Sequence, residues 1–317
     1  MIDSYGRIID YARLSVTGRC NLRCVYCYGL EPEGPDPFME FADIARLARV
    51  MAKLGVTKFK VTGGEPTLRP DLVEIVRAIK GTPGVANVTL TTNGLLLEEL
   101  AGPLAKAGLD SVNVSLDSLD PERYRCFSGA DVLGKVLAGL KAAYRSSLPS
   151  LKVNCVPQAE TPSEDLLGLA KIARDHDIHV RFIELMPIGP GASLAQPLSN
   201  DKLLSLLEAN LGKLTPTTLS YGNGPASYYR AQGFKGLIGF ISAIGSCFCA
   251  SCNRIRVTAD GYLKTCLHMD KGTLLPLRDE EALSQAILLA VSQKPKGHLF
   301  KTQTPLADTR TMSRVGG

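Results

Sequence analysis

FADIARLARVMAKLGVTKFKVTGGEP, residues 41–66, holds a helix, a stop and a strand in that order. Ile44, Leu47, Ala48, Met51 and Leu54 recur at the period of one buried helix face, and Gly55 follows as the terminator. Lys58 to Thr62 then reads as a short strand running into glycines and a glutamate. The alternation repeats outward from this unit. Strands are predicted to begin near Arg13, Lys58, Asn87, Ser111, Leu151 and His179, each followed by a segment of helical period, with Pro70 and Asp71 opening the helix after the second. Six βα units in succession predict an α/β fold around a parallel sheet. Such sheets bind ligands beyond the carboxyl ends of their strands, where the loops converge. Those ends carry Gly63-Gly64-Glu65-Pro66, Thr91-Thr92-Asn93-Gly94, Ser115 with Asp117, and Glu184 with Met186.

Beyond Gly189 the texture changes to a Gly-, Pro- and Ser-rich stretch ending at Pro197, a helix over 200–211, strand-like runs over 227–265 and a last helix near 278–292. This predicts one domain over 1–198 and an appended C-terminal β-rich layer over 199–317. The 317 residues are 45% apolar and 21% charged, an ordinary soluble composition, and the chain is long enough to build a core without disulfide or metal staples. Nine cysteines, an odd number at low density, argue against a disulfide scaffold and for a reducing compartment, so a cytoplasmic protein is expected. No run approaches the roughly 18 apolar residues of a membrane span, and Met1 to Arg7 lacks the apolar region of a signal peptide. A net charge of +5 is too small to argue for nucleic acid but suits a small anionic substrate if concentrated at one site. Without a Walker loop, a GxGxxG or a Ser-His-Asp series, hydrolysis and hydride transfer lack support.

The chemistry lies in two cysteine triplets. Cys20, Cys24 and Cys27 form CxxxCxxC just after the first strand, with Tyr26 between two of them. A closed zinc site needs four ligands and none is near in sequence, whereas three thiolates suit a four-iron cluster with one iron left open. Zinc with a distant fourth ligand is the bland alternative. Cys249, Cys252 and Cys266 form the second triplet, and Asp260-Gly261 between them predicts a two-residue type I′ hairpin turn. Pairing Ala259 with Tyr262 would put Arg256 opposite Thr265 and Ile255 opposite Cys266, returning Cys266 beside Cys252. Arg254 and Arg256, two apart on a strand, share a face next to these cysteines and are suited to hold phosphates. A zinc ribbon half-site, completed by Cys247 or His268, has a similar spacing. Cys126 and Cys155 read as packed thiols.

The residues CxxxCxYC and Gly63-Gly64-Glu65-Pro66 resemble the radical S-adenosylmethionine superfamily. RLSVTGRC (13–20), TTNG (91–94), NVSLDS (113–118), RFIELMP (181–187), FCASCNRIRVTADG (248–261) and the terminal Gly316-Gly317 are similar, nearly end to end, to the GTP 3′,8-cyclase family, lyases of molybdenum cofactor biosynthesis. The resemblance implies an incomplete (β/α)6 barrel closed on its open side by the C-terminal layer, with a [4Fe-4S] cluster at each end of the cavity. In that family S-adenosylmethionine is split on the first cluster, the resulting radical takes the ribose 3′ hydrogen of GTP, and the sugar radical attacks C8 of guanine. Mapped here, Cys20, Cys24 and Cys27 hold the first cluster and Cys249, Cys252 and Cys266 the second. Tyr26, Gly64, Thr91, Ser115, Arg181 and Met186 line the S-adenosylmethionine site. Arg13, Lys60, Lys152, Arg254 and Arg256 clamp GTP. The tail carrying Gly316 and Gly317 is thin enough to thread into the occupied cavity and order it.

Lys60 stands where the family commonly has arginine, so a fork becomes a point charge. The 28–38 stretch is shorter than usual and lacks the customary Met-Pro. GTP, an external electron donor and compatibility with a homodimer are the implied partners, with neither membrane nor nucleic acid. Two other readings fit parts of the pattern: a radical enzyme acting on a peptide, with the second cluster as a relay, and a non-catalytic metal-binding module that contacts nucleic acid through Arg254 and Arg256.

Overall fold

A computed structural model describes residues 1–27, 38–194, 198–218, 224–242, 244, 248–269 and 272–298. The elements follow in order as β1 (Tyr11–Ser15), α1 (Phe41–Lys53), β2 (Lys58–Thr62), α2 (Leu72–Lys80), β3 (Asn87–Thr92), α3 (Leu97–Lys106), β4 (Ser111–Ser115), α4 (Pro121–Ser128), α5 (Leu133–Arg145), β5 (Leu151–Cys155), α6 (Ser163–Asp175) and β6 (His179–Ile183). Five of these strands begin where expected, and β1 begins two residues earlier. The β4–β5 crossover carries two helices because α4 is closed at both ends. Asp120 accepts a hydrogen bond from the Arg123 amide, and Gly129 leaves the helix at φ +76°.

The C-terminal part supplies α7 (Asn200–Leu211), β7 (Leu214–Thr217), β8 (Ser227–Ala231), β9 (Ile238–Ile241), β10 (Arg254–Val257), β11 (Tyr262–Lys264), β12 (Thr273–Leu274) and α8 (Glu280–Ser292). These strands join the same sheet, whose order is β12-β11-β10-β1-β2-β3-β4-β5-β6-β9-β8-β7. β10 runs parallel to β1 and β9 parallel to β6, so the appended layer lengthens the six-stranded arc at both edges, and an antiparallel hairpin finishes each. The sheet stays open, as an incomplete barrel requires. β7 has no counterpart in the sequence reading, because Pro216 obscures it; an edge strand tolerates the missing N–H.

The β10–β11 hairpin differs from the predicted register by one residue. Arg256 faces Lys264 and Val257 faces Leu263, leaving Ala259, Asp260 and Gly261 as a three-residue loop. Gly261 sits at φ +84° and donates to the Thr258 carbonyl, while the Thr258 amide donates to the Tyr262 carbonyl. The Thr258 hydroxyl also accepts from the Tyr262 amide, and this side-chain contact makes the longer loop self-sufficient. Cys126 is a second correction. It is exposed, on the side of α4 away from its buried Tyr124 and Ser128, whereas Cys155 is packed as expected.

Alternation along the parallel strands decides what the sheet encloses. Leu14, Val61, Leu90, Val114, Val153, Phe182 and Val257 belong to one apolar cluster with Ile44, Leu47, Met51, Ile75 and Leu104 of the helices. The intervening positions carry Arg13, Lys60, Thr91, Asn113, Lys152, Arg181 and Arg256, which line a cavity. Polar alternate residues keep this interior from filling as a barrel core does. Among the described residues no helix is long and apolar enough to cross a membrane.

Candidate active site

The loop after β1 brings Cys20, Cys24 and Cys27 to the carboxyl rim of the sheet. The loop after β2 is pressed against it: the amides of Gly64 and Glu65 donate to the carbonyls of Thr17 (2.7 Å) and Arg19 (2.7 Å). A Cβ on Gly64 would lie 2.1 Å from the Arg19 oxygen, so only glycine permits this approach. Glu65, buried, accepts from the Thr92 hydroxyl (2.6 Å) and the Asn93 amide (2.7 Å), and Asn93 donates to Asn21 (2.7 Å). GGEP and TTNG are therefore one fastening that fixes the cysteine loop. Gly64→Ala is expected to destabilise the protein by about 1–3 kcal/mol through this overlap and to lower iron content at the first triplet. Melting temperature and iron content equal to wild type would contradict it.

The three thiols face one space. Burial raises Cys24 above its ordinary range, and Asp117, Cys27 and Cys20 raise it further. Burial, then Cys20 and Asp117, push Cys27 up to about 12, and burial also raises Cys20. Metal binding must then expel protons from this triplet. Tyr26 donates to Asp117 at 2.7 Å, and the Val156 amide donates to the other carboxylate oxygen at 2.8 Å. Burial raises Asp117 to about 6.

Between the rim and the other end of the strands lie the cations. Strand register sets Arg256, Arg13, Lys60, Thr89 and Ser111 in one row across β10, β1, β2, β3 and β4. Thr91, Asn113 and Lys152 make a second row, and Ser115, Asn154 and Arg181 a third. Lys60 and Lys152 are 7% and 3% exposed and reach hydroxyls, Thr91 at 3.5 Å for the first and Ser111 at 2.9 Å for the second. Arg181 donates to Asn154 at 2.8 Å, and a Cβ on its neighbour Gly239 would stand 2.9 Å from the Arg181 Cγ. Burial holds Lys60 well below its usual value, with Arg181, Arg13, Lys152 and Arg254 adding to it. Burial, then Arg181, lowers Lys152 to about 7. Burial, then Arg13 and Arg254, also lowers Arg256. A cluster of cations lowering one another's charge is a site shaped for an anion.

The second triplet stands at the amino ends of the same strands. β10 is parallel to β1 with Arg254 beside Tyr11, so Cys249 and Cys252 precede the level at which β1 starts, while Cys20 follows its end. Four rises of about 3.3 Å separate the levels of Tyr11 and Ser15, which places the triplets on the order of 13 Å or more apart along the strands. Both line the same cavity. Burial alone would raise Cys252, but Lys294, Arg254 and hydrogen bonds from Arg254 more than offset it and hold the thiol below its ordinary value. Arg254 lies over the Phe248 ring at 4.5 Å. Among the described residues, no three His, Cys, Asp or Glu side chains are close enough to hold a single metal ion. A cluster would take each thiolate on a different iron and so does not need that closeness; both thiol sets fit it.

Every described residue assigned to a site by sequence lines this one cavity, including Tyr26, Gly64, Thr91, Ser115 and Met186. Tyr11, Asn113 and Asn154 line it too and were missed, although alternation within their strands was an available signal; Phe248, on the loop before Cys249, lines it with no such signal. Arg7 and Lys294, beside the second triplet, gave none. Gly316, Gly317, Cys247 and the 28–37 stretch lie outside the described residues.

Residues 14–173 match the family model described as the radical SAM superfamily, and residues 178–300 match Molybdenum Cofactor Synthesis C. A GTP 3′,8-cyclase of Clostridium perfringens (strain 13 / Type A) is 37% identical over 327 residues, covering 100% of both chains. One from Moorella thermoacetica is 38% identical over 325 residues, again covering 100% of both. Among solved structures, Streptococcus suis SuiB superposes with a TM-score of 0.66 at 13% identity over 98% of this chain and 76% of that one, a likeness of fold.

Proposed function

The chain belongs to the GTP 3′,8-cyclase family of radical S-adenosylmethionine enzymes, and from that membership we propose how its residues divide the work. The family places it among the iron–sulfur enzymes of molybdenum cofactor biosynthesis. Cys20, Cys24 and Cys27 would hold one four-iron cluster, and Cys249, Cys252 and Cys266 a second. When bound, the first supplies the electron that cleaves S-adenosylmethionine to a carbon radical, and the second offers an open iron to guanine. The protein's part is to bind, orient and exclude water. Gly64, Thr91, Ser115, Arg181 and Met186 shape the S-adenosylmethionine pocket under the cysteine loop, with Tyr26 fixed there by Asp117. Arg13, Lys60, Lys152, Arg254 and Arg256 grip the triphosphate between the two ends. His298, the last described residue, lines the cavity, and the family resemblance assigns the ordering of the site to Gly316 and Gly317.

One observation carries the reading: two cysteine triplets at opposite ends of a single cavity, with a row of cations between them. Iron and sulfide analysis after anaerobic purification tests it. About eight irons per chain is the expected result; four would remove the second cluster, and one zinc without sulfide would remove both.

Arg254→Ala and Arg256→Ala are each expected to weaken GTP binding more than guanosine binding, because each deletes charge-assisted contacts worth about 1.5–3 kcal/mol. Equal loss for both ligands would show that the arginines do not read phosphate. The lowered lysines make binding depend on pH. In the empty protein Lys152 loses its proton as pH rises through about 7, whereas a bound triphosphate favours the charged form. GTP binding should therefore take up protons above pH 7, and affinity should fall about tenfold per pH unit for one linked proton. Titration calorimetry in two buffers of different ionisation enthalpy reads this, and equal heats in both would contradict it.

A further inference from the structure

Two buried cations fasten the segment after α8 across the second triplet. Arg7 donates from Nη1 to the carbonyl oxygens of Cys249 (2.9 Å) and Lys296 (3.0 Å), and from Nη2 to that of Pro295 (2.7 Å). Its Nε is held by the Asp3 carboxylate at 2.6 Å. Lys294, 3% exposed, donates to the Arg254 carbonyl at 2.8 Å and to that of Thr265, the neighbour of Cys266. Gly297 lies against Cys249: a Cβ there would stand 3.5 Å from the Cys249 Cβ and 3.7 Å from its Sγ. Three remote parts of the chain thus converge behind one set of ligands.

Packing of α8 does not call for this arrangement, since Leu283, Ile287 and Val291 already seat that helix in the core. A buried ammonium is unfavourable unless an anionic environment offsets its desolvation. Burial lowers the Lys294 ammonium below its usual value, Cys252 and Cys266 act against that, and its direct partners are two carbonyls, so the charge is complete only beside an anionic group. The guanidinium likewise spends three of its contacts on carbonyls that border the triplet rather than on a helix or sheet.

We propose that Arg7 and Lys294 are positioning residues of the second cluster, clamping residues 294–298 against the backbone of its ligands while Lys294 sets a fixed positive charge beside their sulfurs. The inference rests on the reading of this triplet as a cluster site. It has two separable consequences. The charge favours the reduced, more negative cluster and so raises its midpoint potential. The clamp packs the chain over Cys249 and so slows access of a chelator to the cluster.

The test uses the full-length protein carrying Cys20→Ala, Cys24→Ala and Cys27→Ala, so that the second cluster is the sole signal after anaerobic reconstitution. Lys294→Gln keeps donors for the carbonyls but removes the charge, and should move the midpoint potential to a more negative value with iron content retained. Arg7→Met keeps an apolar stem but removes the contacts, and should leave the potential near the parent's while speeding iron loss to a chelator several-fold. Arg7→Lys, which restores a cation and some donors, should recover part of that resistance, an outcome that general unfolding would not produce. An unchanged potential in Lys294→Gln together with unchanged iron loss in Arg7→Met overturns the proposal. Absence of any iron–sulfur signal in the parent protein would instead overturn the second-cluster reading on which it stands.

Discussion

Cys24→Ala is expected to reduce 5′-deoxyadenosine formation from S-adenosylmethionine to the level of a protein-free control. The first triplet has three thiols on a short loop, so losing one leaves two ligands for a cluster that needs three from the protein. The loop itself should survive. It is fixed by the Gly64–Thr17 and Glu65–Arg19 backbone contacts and by the Asn93–Asn21 pair, none of which uses a thiol. Stability should therefore change by about 1 kcal/mol or less, and a melting curve like the wild type's will show that lost activity is not lost fold. Undiminished 5′-deoxyadenosine in this variant would mean that the triplet is not the site of reductive cleavage.

Cys266→Ala is expected to separate the two halves of the reaction. GTP-derived product should vanish and the second cluster should be lost, while S-adenosylmethionine cleavage at the far end of the cavity continues without coupling to GTP. The strand geometry supports independence, because the triplets stand at opposite ends of parallel neighbours β1 and β10. Spectra in which both cluster signals disappear together would contradict two separate sites.

What the sequence reveals here is what lies within one βα unit or one loop. The 3.6-residue stripe of α1, the starts of β2 to β6 and the glycine-bearing ends of β2 and β3 are local, and each is where the sequence pattern places it, while β1 begins two residues early. Gly63-Gly64-Glu65 alone is indistinguishable from a plain turn; its meaning appears when Arg19, 45 positions earlier in the chain, presses its carbonyl where a Cβ would be. The hairpin at Asp260-Gly261 differs by one residue from the expected register because the Thr258 hydroxyl, satisfying the Tyr262 amide, favours a longer loop than the dipeptide suggests.

The cationic rows illustrate the larger limit. Arg13 and Arg256 are adjacent only because β10 pairs in parallel with β1, a crossover that spans most of the chain and leaves no local pattern. The same holds for Arg7 and Lys294, whose partners are backbone carbonyls that no residue pattern marks. Their concentration also explains a modest net charge of +5 that composition alone could not place. Arg13, Lys60, Lys152, Arg181, Arg254 and Arg256 all line one cavity, and mutual repulsion there makes an anionic ligand the natural complement.

GTP carrying deuterium at the ribose 3′ position provides the most direct check on the central claim. Incubated anaerobically with the reconstituted protein, S-adenosylmethionine and a low-potential reductant, it should deliver its label to 5′-deoxyadenosine, in amounts matching the cyclised nucleotide formed. Label retained in GTP while unlabelled 5′-deoxyadenosine accumulates, or label arriving from a different position, would contradict a radical directed at that hydrogen by this cavity.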